Sequence, residues 1–118
     1  MSKVYIDDLV KRLSKENTVE CIRPEKNAQA LKECIERDYI HIMFKNTGTE
    51  LGVELYHPDC MLEADFENSS GKIHIAGALI LNFVKVKCVA DIDIATCEGT
   101  GFLVPISDEE YGKIKGKD

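Results

Sequence analysis

The sequence contains no tryptophan, only three prolines and no long apolar run. A membrane-spanning helix needs about 18 or more predominantly apolar residues. The longest candidate segment, Ile73 to Val84, is interrupted by His74, Gly77 and Asn82. The first residues turn acidic where a secretory signal would have its apolar stretch. We therefore expect a cytoplasmic protein that does not contact membranes.

The sequence also lacks a surplus of basic residues. Its net charge is −6, and residues 46–118 carry six Lys and Arg against thirteen Asp and Glu. A nucleic-acid backbone would be repelled by this acidic part, and no basic segment elsewhere is interleaved with aromatic residues. We therefore exclude nucleic acid as a partner.

The five cysteines include no CxxC pair. Their odd number, in a chain without a secretory signal, favours reduced thiols over disulfides. Free cysteine is among the most frequently buried residue types, so we expect these side chains mainly in the core. The length of 118 residues fits one domain, and we assign residues 1–118 to a single α+β domain.

The N-terminal part has helical spacing. One apolar face with the period of a helix is formed by Ile6, Leu9, Val10 and Leu13. Asn17 is a plausible end of this helix, and Thr18 to Arg23 alternates as an edge strand would until Pro24 stops it. Asn27 then predicts the N-cap of a second helix that ends near Asp38.

The period changes to that of strands after the second helix. Tyr39–Lys45 and Glu50–Tyr56 both alternate around turn residues and predict a hairpin. A strand is predicted from Lys72, with a bulge or bend at Gly77. A long half-buried strand, or two strands joined by a bend, is predicted over Val84–Ala95.

The C-terminal part predicts one more strand and a short helix. We expect a turn at Glu98–Gly101, a returning strand with Phe102, Val104 and Ile106, and a helical turn opened by the capping box at Ser107. Helices followed by strands are typical of an α+β fold. We predict a largely antiparallel sheet of about four to six strands, with the two N-terminal helices packed on one face.

The segment His57-Pro58-Asp59-Cys60 is the most suggestive for chemistry. An imidazole and a thiolate at this spacing can share a zinc ion, but two more ligands are needed. Cys88 and Cys97 are the candidates, and Cys88 is predicted to face the core. A Cys60 nucleophile with His57 as its base lacks a helix N-terminus to lower the thiol pKa. We therefore predict no catalytic, cofactor-binding or metal-binding residue.

The remaining polar groups favour structural roles. The acidic residues Asp59, Glu63, Asp65 and Glu67 lack the spacing of an EF-hand calcium loop. Gly99-Thr100-Gly101 lies between predicted strands, so we interpret it as a hairpin turn and not as a phosphate loop. Asp91 and Asp93 share a strand face with Lys85 and Lys87, and cross-strand ion pairing is expected to account for them. His41 and His74 are expected to be exposed in strands.

The function is predicted from one surface. The second face of the sheet would carry Tyr39, Met43, Tyr56 and Val89, residue types enriched in interfaces. This predicts a non-enzymatic protein-interaction module that forms a homodimer or assists a larger protein. One alternative is a small enzyme or a ligand- or metal-binding protein with a pocket around His57 and Cys60. Another is an acidic inhibitor or immunity-type protein. No motif in the sequence identifies a family.

Overall fold

A computed structural model describes residues 8–22 and 25–115. Within these residues the chain forms six strands, three α-helices and one 3₁₀ turn. In chain order they are α1 (Asp8–Leu13), β1 (Asn17–Glu20), α2 (Ala28–Glu36), β2 (Tyr39–Phe44), β3 (Thr49–Glu54), the 3₁₀ turn (His57–Asp59), β4 (Lys72–Leu81), β5 (Val84–Asp93), β6 (Glu98–Pro105) and α3 (Asp108–Ile114).

All six strands form one sheet in the order β3-β2-β1-β6-β5-β4, and every neighbouring pair is antiparallel. This confirms the predicted α+β fold with a largely antiparallel sheet. The prediction that the first strand lies at an edge is wrong, because Val19 in β1 pairs with both Phe44 and Gly99. Four alternating residues cannot distinguish an edge strand from a central one. Arg23 and Pro24, which were predicted to end this strand, lie outside the described residues.

The two edge strands approach each other because the sheet curls until it nearly closes. Beyond the end of β3, the Tyr56 amide donates to the Ala76 carbonyl at 2.8 Å. A Cβ atom on Gly77 would lie 2.1 Å from the Glu54 carbonyl oxygen. The bulge predicted at Gly77 is wrong, because the ladder continues with Gly77 opposite Cys88. This glycine is needed for the close approach of β3.

The core lies on the inner face of the curled sheet. Its largest fully buried side chains are Val10, Leu13, Val19, Ile40, Ile42, Phe44, Val53, Ile73, Ile75, Ile92, Ile94 and Leu103. In the helices, α1 contributes Val10 and Leu13 and contacts β6, while α2 contributes Leu31 and Cys34 and contacts β2. Ile6, predicted on the same helical face, lies outside the described residues. Burial of one such aliphatic side chain stabilises the fold by about 1.5–3 kcal/mol.

Both predicted helix caps are present. The Asn27 Oδ1 atom accepts a hydrogen bond from the Ala30 amide at 2.8 Å. The Ser107 Oγ atom accepts one from the Glu110 amide at 3.0 Å. Each bond satisfies an amide that has no partner within its own helix, which fixes where α2 and α3 begin.

The last strand begins earlier than predicted. Glu98 already belongs to β6, so Gly99 and Gly101 lie in a strand and not in a turn. The chain reverses before it, at Cys97, where φ is +59°. A Cβ atom on Gly99 would lie 1.8 Å from the Asp91 carbonyl oxygen, so this glycine permits close packing on β5. Leu103 supplies the fully buried side chain of β6, and the side chains predicted for the returning strand, Phe102, Val104 and Ile106, are not buried.

Candidate interaction surface

The outer face of β4 and β5, which points away from the core, is covered by α3 and the 3₁₀ turn. Ala76 and Ala78 point outward by the alternation of β4, yet each is only 1% exposed. Their small side chains let the covering elements approach the strand closely. On the covering side Ile114 of α3 is buried. A third helix on this face leaves much less of the sheet exposed than the sequence analysis assumed.

Lysine side chains attach α3 and the 3₁₀ turn, which we together call the cover, to the outer face of the sheet. Lys85 Nζ lies 2.8 Å from Asp108 Oδ1 and 5.6 Å from the centre of the Tyr111 ring, so it binds both ends of the first turn of α3. Lys87 forms an ion pair with Asp59 of the 3₁₀ turn. Exposed ion pairs typically contribute about 0–1 kcal/mol each to the free energy of unfolding. The main effect of these pairs is therefore to orient the cover.

A further lysine joins the cover to both edges of the sheet. Lys115 Nζ donates to Glu54 Oε1 at 2.9 Å and to the Ala78 carbonyl at 3.4 Å. Of the predicted cross-strand ion pairs, Asp91 forms one with His74 of β4, whereas Lys85 and Lys87 bind carboxylates outside the sheet, Asp108 and Asp59. The cause is tertiary, because α3 and the 3₁₀ turn bring those carboxylates over the sheet.

One end of the β4–β5–β6 unit stays uncovered. Three apolar side chains are exposed there, and we call Ile80, Phe83 and Val104 the exposed end. Phe83 is fully exposed, Ile80 is 52% exposed and Val104 is 40% exposed. Phe83 lies in the loop between β4 and β5, which we call the hairpin tip (Asn82 and Phe83). Large exposed apolar groups at one end of a domain are typical of an interaction site.

The apolar residues predicted for the second face are less accessible. Of the four, only Tyr39 is exposed, at 45%, while Met43, Tyr56 and Val89 are half-buried. The Tyr39 ring is edge-on to His41, with 5.2 Å between the ring centroids. It also occupies the space above Gly52. The predicted continuous apolar face is therefore absent among these residues.

The alternative of a chemical site formed by His57 and Cys60 finds no support, because the two side chains bind different partners. His57 Nε2 lies 2.6 Å from Asp38 Oδ1, so the imidazole binds the turn before β2. The Cys60 thiol donates to the Tyr56 carbonyl at 3.2 Å and to the Ala76 carbonyl at 3.6 Å. Burial raises the pKa of the Cys60 thiol above its ordinary value. This geometry favours a structural cysteine over a nucleophile.

Metal-binding geometry is also absent from residues 8–22 and 25–115, where no group of three or more His, Cys, Asp or Glu side chains converges. Asp65 of the acidic segment instead accepts hydrogen bonds from the Asn68 amide at 3.2 Å and the Asn68 Nδ2 atom at 2.7 Å. These bonds hold the pKa of Asp65 below its ordinary value. A cleft of about 320 Å³ between the 3₁₀ turn and α3 is lined by Asp59 and Glu110 but not by His57 or Cys60.

The five cysteines form no disulfide. Four of them are buried, and burial raises the pKa of the Cys88 thiol to about 12. The two strand histidines do not meet. His74 Nδ1 lies 2.8 Å from Asp91 Oδ1 on the neighbouring strand, whereas His41 lies in β2 beside Tyr39. Both histidines are half-buried, not exposed as predicted.

The exposed end was missed from the sequence, although a signal for it was present. Asn82 and Phe83 separate two alternating segments, and an asparagine followed by one more residue is the pattern of a two-residue hairpin loop. Glycine normally takes the second position, and phenylalanine in its place obscured the turn. The phenylalanine was also read as part of an apolar segment.

A comparison with protein-family models places this geometry in context. The model described as "Core binding factor beta subunit" matches residues 2–116. This match confirms the general prediction of a protein-interaction module. No curated protein matches the chain. None of the helices in the described parts of the chain has the length and apolar character needed to cross a bilayer.

Proposed function

Because the chain belongs to the core binding factor beta subunit family, we propose that it is the non-enzymatic subunit of a heteromeric complex whose other member is a Runt-domain protein. Nothing in the described geometry assembles a nucleophile, a base and a ligand pocket at His57 and Cys60. A binding role needs only a stable surface of suitable shape, which the sheet and its covering helix provide.

The observation that carries this proposal is the exposed end. α3 and the 3₁₀ turn cover the centre of the outer face of β4 and β5, while the apolar side chains of Ile80, Phe83 and Val104 stay exposed. Aromatic side chains are enriched in the cores of interfaces, and the driving force for association is mainly apolar burial. A partner that covers this end would remove the largest exposed apolar side chain of the described chain from water.

The test is direct binding of the purified chain to the Runt domain from the same organism. Size-exclusion chromatography with light scattering should show a one-to-one complex, and isothermal titration calorimetry should give a negative heat-capacity change from apolar burial. Two separate peaks at tens of micromolar protein would contradict the proposal. The matched control is the Runt domain with an unrelated acidic protein of similar size.

Self-association stays a second prediction with weaker support. The face proposed for a homodimer keeps only Tyr39 exposed, so a symmetric pair would have to use other residues. The same light-scattering experiment on the chain alone decides between the two states. A mass near 13.2 kDa across dilution indicates a monomer, and twice that mass indicates a homodimer.

A further inference from the structure

The hairpin tip has an unfavourable backbone for one of its two residues. β4 and β5 pair as far as Leu81 and Val84, which leaves Asn82 and Phe83 as the loop. Their φ angles are +50° and +69°, the left-handed values that a type I′ turn requires at both positions. Asparagine tolerates this conformation and glycine is usual at the second position. A bulky side chain such as phenylalanine is a clear exception there.

No contact of the Phe83 side chain with the rest of the folded chain compensates for this strain. The Phe83 side chain is fully exposed, so its ring buries no surface against the protein. The residue therefore combines a strained conformation, which disfavours the folded state, with an apolar ring that gains no burial when the chain folds. Strained backbone conformations cluster at functional sites, where an interaction with another molecule compensates for them.

We propose that Phe83 is the anchor of the partner interface, and that its ring enters an apolar pocket of the partner with a basic rim. This inference rests on the proposed function and specifies the chemistry of the partner surface. Hot spots of protein interfaces are typically large side chains that become fully desolvated in a pocket, and a two-residue loop projects such a ring rigidly.

The basic rim follows from the charges beside the hairpin. Lys85, one residue beyond the start of β5, binds Asp108 at the start of α3, so α3 begins close to the hairpin. The Asp108 side chain remains 90% exposed despite this pair. Glu109 and Glu110 follow it and are also exposed. A partner that receives Phe83 would also face the carboxylates of this nearby helix end, and opposite charge on the partner would orient the two proteins.

The substitution Phe83→Gly separates an anchor from an ordinary surface residue, because it should change stability and affinity in opposite directions. Glycine relieves the left-handed strain, so we expect the folding equilibrium constant to rise roughly three- to tenfold. Loss of the ring should weaken binding to the Runt domain by roughly 30-fold or more. Urea denaturation measures the first effect and titration calorimetry the second.

Two further variants serve as controls. Met61→Ala removes another strongly exposed apolar side chain, 71% exposed, that lies outside the exposed end. It should leave both stability and affinity within about twofold of the wild type. Phe83→Leu keeps an apolar side chain and the strained backbone, so it should bind with intermediate affinity and show no gain in stability. Glu109→Gln should lower affinity a few-fold at low salt, and this difference should shrink as salt is added.

Each outcome distinguishes the anchor from the proposed function. Wild-type affinity in Phe83→Gly, with the wild type binding the Runt domain, would overturn the anchor and leave the proposed function intact. A wild type that does not bind the Runt domain would contradict the proposed function itself, and the anchor with it. A doubled mass of the chain alone that Phe83→Gly abolishes would assign the ring to a second copy and overturn the heteromeric assignment.

Discussion

Two hairpins of the sheet, β2–β3 and β4–β5, reverse the chain in different ways. Between β2 and β3, Gly48 takes the left-handed conformation, with φ of +69°. Between β4 and β5, a phenylalanine takes the same φ of +69°. Glycine adopts this backbone without a steric penalty, whereas a side chain raises its energy by about 1–2 kcal/mol. The same backbone requirement is therefore met with a suited residue in one hairpin and an unsuited one in the other.

The hairpins also differ in their attachment to the rest of the molecule. The first is fixed by side chains, since Asn46 Nδ2 donates to Asn17 Oδ1 at 2.7 Å and the hydroxyls of Thr47 and Thr49 lie 2.7 Å apart. The second ends in a fully exposed aromatic ring. The residues of the first hairpin thus favour stability. In the second hairpin, Phe83 lowers stability at its turn, and a binding role for this residue would explain why.

The largest effect should come from removing the attachment of the first hairpin. Asn17 is 5% exposed, and its Nδ2 atom donates to the Lys15 carbonyl at 2.7 Å while its Oδ1 atom accepts from Asn46. Asn17→Ala leaves these groups without their partner, so we expect a loss of about 2–3 kcal/mol in the free energy of unfolding. Urea denaturation measures it. A loss below about 0.5 kcal/mol would show that the attachment does not stabilise the hairpin.

The second-largest loss of stability is expected when Gly48 of the first hairpin is replaced by phenylalanine, the residue at the corresponding place in the second hairpin. No atom lies within 4 Å of a Cβ atom placed on Gly48, so Gly48→Phe tests the backbone conformation in open space at the Cβ position. We expect a destabilisation of about 1–2 kcal/mol, measured by urea denaturation. Gly48→Asn is the matched control and should lose less, because asparagine tolerates positive φ. Equal losses in both variants would mean that strain does not distinguish the two hairpins.

Of these two hairpins, only the second has a strand cysteine on which an alkaline titration should act. Burial raises the pKa of Cys88 in β5 from 9.0 to about 12, and neither β2 nor β3 contains a cysteine. The folded state holds this proton more tightly, so its contribution is complete below pH 9 and is lost as pH rises toward 12. At pH 10 the expected loss in the free energy of unfolding is on the order of 1 kcal/mol. Denaturation from pH 8 to 10.5 measures it.

The control for this titration is Cys88→Ala, which should show a smaller decline of stability with pH than the wild type. The comparison uses the slopes, because the substitution itself lowers stability at every pH. Burial also raises the pKa of Cys21, which is why the decline in the variant should be smaller but not absent. Identical slopes would contradict the role of Cys88.

The smallest effect concerns the hydroxyl pair of the first hairpin. Thr47→Ala removes its contact with Thr49 at the loop, and we expect a loss of about 0.5 kcal/mol or less. The same urea experiment measures it. A loss as large as that of Asn17→Ala would mean that the hydroxyl pair, and not the buried amide, fixes this loop.

Local features were predictable from the sequence because they depend on neighbouring residues. The N-caps at Asn27 and Ser107 need only a side-chain oxygen and an amide three residues later. The hairpin of β2 and β3 follows from alternation around turn residues. The buried set of Ile40, Ile42 and Phe44 also followed from period two, since a strand directs alternate side chains to one face.

Other features depended on contacts between distant segments. Gly77 and Gly99 were interpreted as bend and turn residues, but each lies in a continuous strand that another backbone approaches closely. The cover of α3 over Ala76 and Ala78 could not be derived, because alternation alone makes those alanines outward-facing. His57 binds Asp38 instead of Cys60, because curling of the sheet brings the 3₁₀ turn to the start of β2.

The sequence by itself determined the fold class, the caps and the alternating core of the first hairpin, because period, caps and turns act over a few residues. Only the tertiary structure decided which apolar residues remain available to a partner. Exposure depends on what the rest of the chain covers, and α3 covers the centre of the outer face while leaving Ile80, Phe83 and Val104 uncovered. The candidate interaction surface is therefore a product of long-range packing.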